Sequence, residues 1–146
     1  SEAYAIHRNW LQTRPEDYSE SFLERILPGA FLSANDYVDA LRLRRKLTAN
    51  FNRTISGLDG VIAVSAMDAA FAIDDAEEIA LKYPRQARTP FNLTGNPALA
   101  IPTGFNDDGM PLAMQIVGKQ FDEATIYRIA ADYEVATDWH LRRPPI

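Results

Sequence analysis

Two short runs set the terms for any fold this chain can adopt: Val61-Ile62-Ala63-Val64 and Ala98-Leu99-Ala100-Ile101-Pro102-Thr103. Both are of strand length, and both are apolar on the two faces that alternate along a strand. Strands of that kind lie in the middle of a sheet covered on both sides. A third run, 112–117, follows 98–103 across Asn106-Asp107-Asp108-Gly109, whose residue types favour a turn, so these two runs read as a hairpin. Three strands are all that the 146 residues offer. A sheet covered on both faces needs more neighbours than that. Further strands are therefore expected from another chain or from an N-terminal part.

The remainder reads as helix. Residues 1–13 form one helix that stops before Arg14-Pro15, and 16–27 form a second that stops at Pro28-Gly29. Ser33-Ala34-Asn35-Asp36 is an N-cap signal with Ser33 as the cap. The helix it starts runs to about Ile55. Leu43, Leu47, Phe51 and Ile55 recur along it every four residues, flanked by Val38 and Leu41, as one apolar stripe. A further turn or two of helix is expected over 77–83. Asp122 caps the last helix, which places Ile126, Ile129, Ala130, Tyr133 and Thr137 on one face. The tail DWHLRRPPI reads as polar and laid on the surface. The sum is an α/β chain treated as a single unit over 1–146, helical over 1–56, with strands and a C-terminal helix over 57–146.

The formal net charge of −5 disfavours a nucleic-acid-binding face. The one basic cluster, Arg42, Arg44, Arg45 and Lys46, falls on the long helix beside acidic neighbours and reads as a solvated face. With no cysteine, disulfides, thiolate nucleophiles and zinc-thiolate sites are excluded. No apolar run approaches the ~20 residues that span a bilayer, and no leader pattern is visible. A cytoplasmic location is the expectation. The chain opens on Ser1, which points to a processed or partial polypeptide.

No catalytic constellation assembles from the residues alone. The two histidines, His7 and His140, lie near opposite ends, and no metal-ligand spacing surrounds either, so neither metal nor cofactor is expected. There is no G-x-S-x-G elbow, and none of Lys46, Lys82 and Lys119 lies in an S-x-x-K arrangement. Paired carboxylates at 74–75, 77–78 and 107–108 are adjacent in polar segments and face solvent by default. Ser65, just after the first strand, is the one serine placed like a site residue; the alternative is a plain polar strand exit.

The stretch FNLTGNPALAIPTGF, residues 91–105, closely resembles the C-terminal signature of the amidase signature family. So do the Asp108-Gly109-Met110-Pro111-Leu112 turn, Gln115-Ile116-Val117-Gly118 and Phe121-Asp122-Glu123-Ala124-Thr125. The likeness is looser before Thr89 and extends over nearly the whole chain. It implies part of an α/β/α sandwich on a mixed sheet, and an amide C–N hydrolase that works through a Ser–cis-Ser–Lys triad. The block that carries the triad has no counterpart in this sequence, so the resemblance transfers no catalytic residue.

What the resemblance does transfer is pocket wall. The segment 85–91, together with Asn92 and Thr94, borders the acyl pocket in the family. The implied substrate-binding set is Ser65, Arg85, Arg88, Thr89, Asn92 and Thr94. The A subunits of glutamine-dependent tRNA amidotransferases tend to carry an acidic residue in this segment; Arg85 and Arg88 argue against that subgroup and admit a carboxylate or polar acyl part. The alternative for either arginine is a surface position or a pair with a carboxylate. A second departure follows the first strand. The family's Pro-Thr-x-Pro segment is here Ser65-Ala66-Met67-Asp68, without either proline. The implied partners are a small-molecule amide and the missing N-terminal part, a partner chain, or a second copy. The other function carried forward is a non-catalytic subunit or interaction domain, or a piece of the A subunit of an amidotransferase.

Overall fold

The structure, a computed structural model, describes residues 1–143; Pro144-Pro145-Ile146, the end of the expected surface tail, lie outside the described residues. The chain divides into two compact units, Ser1–Arg45 and Lys46–Ile146, with the boundary inside one long helix.

The first unit holds α1 (Glu2–Thr13), a 3-10 turn at Pro15–Asp17, α2 (Glu20–Ile26), a second 3-10 turn at Leu27–Ala30, and the first half of α3 (Ala34–Ile55). The single helix expected over 16–27 is thus corrected to two pieces. Tyr18 and Ser19 are extended, at ψ 140° and 150°. Two causes are visible. Pro15 sets the 3-10 turn at its first position. The Tyr18 side chain is held elsewhere: its hydroxyl is hydrogen-bonded to His7 Nδ1 at 2.9 Å and its ring stacks on Phe22 at 5.3 Å. Gly29 marks a close approach, because a Cβ there would lie 2.8 Å from that of Tyr4.

The start of α3 is the expected capping box. The Asp36 N–H donates to Ser33 Oγ at 3.1 Å, and the Ser33 N–H donates back to Asp36 Oδ2 at 3.1 Å. The stripe along α3 closes only at its C-terminal end. Ile55 is buried and Phe51 half-buried, whereas Leu43 and Leu47 are exposed.

The second unit carries β1 (Val61–Val64), α4 (Ala76–Lys82), α5 (Thr89–Thr94), β2 (Ala98–Phe105), β3 (Pro111–Val117), α6 (Glu123–Ala136) and a 3-10 turn at Trp139–Leu141. The strands pair antiparallel in the order β1-β3-β2. Both runs expected in the middle of a sheet, 61–64 and 98–103, are therefore edges here. The middle strand is β3, which the hairpin lays along β2 and which takes β1 on its other side. The hairpin turn is held by the Met110 N–H, which donates to Asn106 Oδ1 at 2.8 Å, with Gly109 at φ +77°.

Register sorts the two sheet faces. Leu99 and Ile62 both sit opposite Ile116, and Ile101 and Val64 opposite Met114, so these residues share one face. The residues Ile126, Ile129, Ala130 and Tyr133 of α6 pack on its β2–β3 part and make the core. Ile62 and Val64 on β1 stay uncovered, 65% and 52% exposed. The opposite face presents Ala98, Ala100 and Gln115.

Asp122 precedes α6 as expected, but its carboxylate accepts the Thr125 hydroxyl at 2.8 Å and bonds no helix N–H. The described part of the tail lies on the surface, with Asp138, Leu141, Arg142 and Arg143 exposed, and is anchored there by Trp139, which is half-buried and meets the Phe105 ring edge-on at 6.3 Å. Among the described residues no helix is long and apolar enough to cross a membrane.

Candidate functional site

The small-residue face of the sheet becomes a site because α5 stands beside it. The end of the segment 85–91, for which the sequence predicts no element, forms the start of this short helix. Pro90 lies in its first turn and Gly95, at φ +75°, ends it with an N–H donated to Phe91 O at 2.8 Å. The next turn is fixed by Asn96, which is 6% exposed. Its Nδ2 donates to Asn52 Oδ1 and to the Gly118 carbonyl, each at 2.9 Å. Two acceptors around one nitrogen settle which way the amide points. They leave Oδ1 buried with no partner.

From the sheet, Gln115 Nε2 donates to Val64 O at 2.7 Å, bracing the exit of β1. The Ser65 N–H donates to Ala113 O at 3.4 Å, while its buried Oγ has no partner. These residues enclose a cavity of about 290 Å³. Ser65, Arg88, Asn92, Asn96 and Gln115 supply its polar groups above Ala98 and Ala100.

Three of the six expected site residues, Ser65, Arg88 and Asn92, are thus brought together. The others fall around them. Arg85 donates to Asp68 Oδ1 at 3.0 Å, a pair with a carboxylate. Thr89 and Thr94 line a separate apolar cavity of about 520 Å³ with Leu47, Phe51, Pro90 and Leu93. Thr94 is itself buried, and its carbonyl accepts from Gln120 Nε2 at 3.0 Å.

Asn96 and Gln115 are absent from the expected set. Each left a signal. Gln115 is a polar residue inside the apolar run Met114-Gln115-Ile116-Val117, and Asn96 follows the helix-ending Gly95 just before a proline.

The cavity gathers hydrogen-bonding groups and one guanidinium. Among the described residues no serine hydroxyl meets a lysine amine. Lys82 bonds Glu78 instead, which holds its ammonium above the usual lysine range, first through that hydrogen bond. A larger cavity of about 680 Å³ lies elsewhere, between the hairpin end and the C-terminal turn. It is walled mainly by Phe105, Met110, Pro111 and Trp139, and none of the expected site residues lines it.

Comparison with known proteins identifies the family. The family model described as Amidase matches residues 1–127. The chain belongs to the amidase signature family. Among curated amidase-family relatives, the A subunit of the glutamyl-tRNA(Gln) amidotransferase of Halalkalibacterium halodurans is 36% identical over 142 residues, 92% of this chain and 29% of that protein. A crystal structure of an amidase superposes with a TM-score of 0.79 at 26% identity, over 92% of this chain and 32% of that one. Allophanate hydrolase of Kluyveromyces lactis gives 0.75 at 25% identity, over 87% and 21%. The chain therefore spans under a third of the length of these relatives. The α/β class and the family resemblance both hold.

Proposed function

We propose that this chain supplies part of the sheet and one wall of the substrate pocket of an amide C–N hydrolase, while the acyl nucleophile and its base come from residues outside these 146. One observation carries the reading. The family match coincides with a cavity that gathers Ser65, Arg88 and Asn92 but holds no nucleophile–base pair among the described residues. Arg85, Thr89 and Thr94 shape that wall from behind: Arg85 ties its segment to Asp68, and the two threonines bound α5. The substrate is a small carboxamide, the place of action the cytoplasm. The partner is the remaining amidase portion.

The purified chain is expected to show no turnover of a simple carboxamide such as propionamide. Co-expression with a polypeptide bearing the Ser–cis-Ser–Lys block should restore it. Turnover by the chain alone would sink the reading.

The 36% identity to the A subunit of an amidotransferase favours a second reading, a segment of such a protein. Arg85 and Arg88 stand against it, because the segment is basic where those proteins tend to be acidic. Glutamine hydrolysis by the reconstituted protein, stimulated by an amidotransferase partner, would decide for the second reading.

A further inference from the structure

The two arginines of the pocket segment have different surroundings. Arg85 is paired with Asp68 at 3.0 Å. Arg88, three residues on, makes no ion pair or side-chain hydrogen bond among the described residues, and it borders the cavity. Among the described residues lining that cavity it alone is charged. We propose that this cavity takes amides whose acyl part ends in a carboxylate, and that Arg88 is the residue that reads it. The proposal rests on the pocket-wall reading above and adds the substrate class.

The chemistry of the lining supports it group by group. A guanidinium presents paired N–H donors that match a carboxylate in bidentate fashion. The Ser65 hydroxyl, buried and without a partner, is a further donor, and the Asn92 amide lies on the same wall. Asn96 Oδ1 has the opposite need. It is a buried acceptor with no donor, in a residue whose nitrogen already serves two carbonyls. A carboxylate at one end and an amide N–H at the other satisfy both sets. The volume of about 290 Å³ sits at the small end of ligand sites, which suits a short acyl chain. Because Arg88 is exposed, the free protein keeps its charge hydrated at no cost, and the attraction should weaken as salt rises.

Two probes of nearly equal shape test this: succinamate, the half-amide with one carboxylate, and neutral succinamide. Each is titrated into the 146-residue chain while the backbone amide resonances of Ser65, Asn92 and Gln115 are followed. Succinamate should bind about tenfold more tightly, as expected for one charge-assisted contact. Arg88→Gln should remove that preference, Arg88→Lys should keep part of it, and Arg85→Gln should leave it within about twofold. Unshifted resonances of Ile116 and Val117 confirm that each variant is folded. Equal affinity for the two probes, no shift with either, or an Arg85→Gln effect as large as that of Arg88→Gln would overturn the proposal. The measurement involves no catalysis. Turnover by the chain alone would therefore defeat the pocket-wall reading and leave the preference standing, and loss of the preference would do the reverse.

Discussion

Asn96 joins three parts of the second unit through one amide group: the end of α3 at Asn52, the entry to β2 where it stands, and the end of β3 at Gly118. Replacing it by alanine would leave two carbonyl oxygens without their donor, one of them in a buried bond. The expected loss is about 1–3 kcal/mol of unfolding free energy. Asn96→Asp should cost more, since a carboxylate would face those same oxygens with no hydrogen to offer. Urea denaturation of the two variants checks both size and order. An alanine variant as stable as the natural chain would contradict the assignment. At this scale the sequence is legible where a residue's role is local. Ser33 and Asp36 declare a cap by type and spacing, and they form one. Asn96 is not legible in the same way. Its partners are 44 and 22 residues away, and nothing in residue type announces which distant carbonyls an amide will meet. Arg85 and Arg88 make the same point: two like residues in one segment, separated in their contacts only by where Asp68 falls.

The capping box at the start of α3 shows how a helix terminus becomes sensitive to pH. The Ser33 hydroxyl and N–H both donate to the Asp36 carboxylate, and these bonds hold its carboxyl below the usual carboxylate range. A depressed folded value means that the stabilisation is present above the unfolded carboxylate pKa and is lost as pH falls through the folded one. Ser33→Ala removes the acceptor of the Asp36 N–H and one donor to the carboxylate. It should lower stability at neutral pH, and the gap between variant and natural chain should narrow in acid, measured by thermal unfolding across pH. A gap independent of pH would separate the cap from the ionisation of Asp36.

Other elements are less legible, for identifiable reasons. Apolarity on both faces cannot by itself distinguish a middle strand from an edge whose neighbour is absent from the chain, so the sequence points to β2 as a middle strand while β3 occupies that place. The short helix α5 is not predicted from the sequence, although its ends carry proline and glycine at helix-bounding positions. Its six residues are too few for a periodic apolar pattern to show.

The uncovered apolar surface of the second unit follows a pattern. Ile62 and Val64 lie on the same sheet face as the core, yet α6 covers only β2 and β3 and leaves them 65% and 52% exposed. They belong to an edge strand whose four residues include no charge, proline or bulge to discourage pairing. Phe121, at φ +62°, is 93% exposed, a strained backbone supporting a ring with little to touch. A chain that matches under a third of its relatives' length, and that bares core-face residues on an open strand, is expected to associate. Sedimentation velocity should therefore show concentration-dependent self-association, replaced by a defined complex when the remaining amidase portion is supplied. Burying the exposed parts of Ile62 and Val64 contributes about 1 kcal/mol each. Ile62→Lys with Val64→Lys should then weaken association roughly thirtyfold. The stability of the unit itself should change little, because exposed positions are tolerant of substitution. A natural chain that stays monomeric at every concentration tested would show that β1 is an edge the fold tolerates. The sheet would then be complete with three strands, and the expectation of further strands, drawn from two apolar runs, would fall with it.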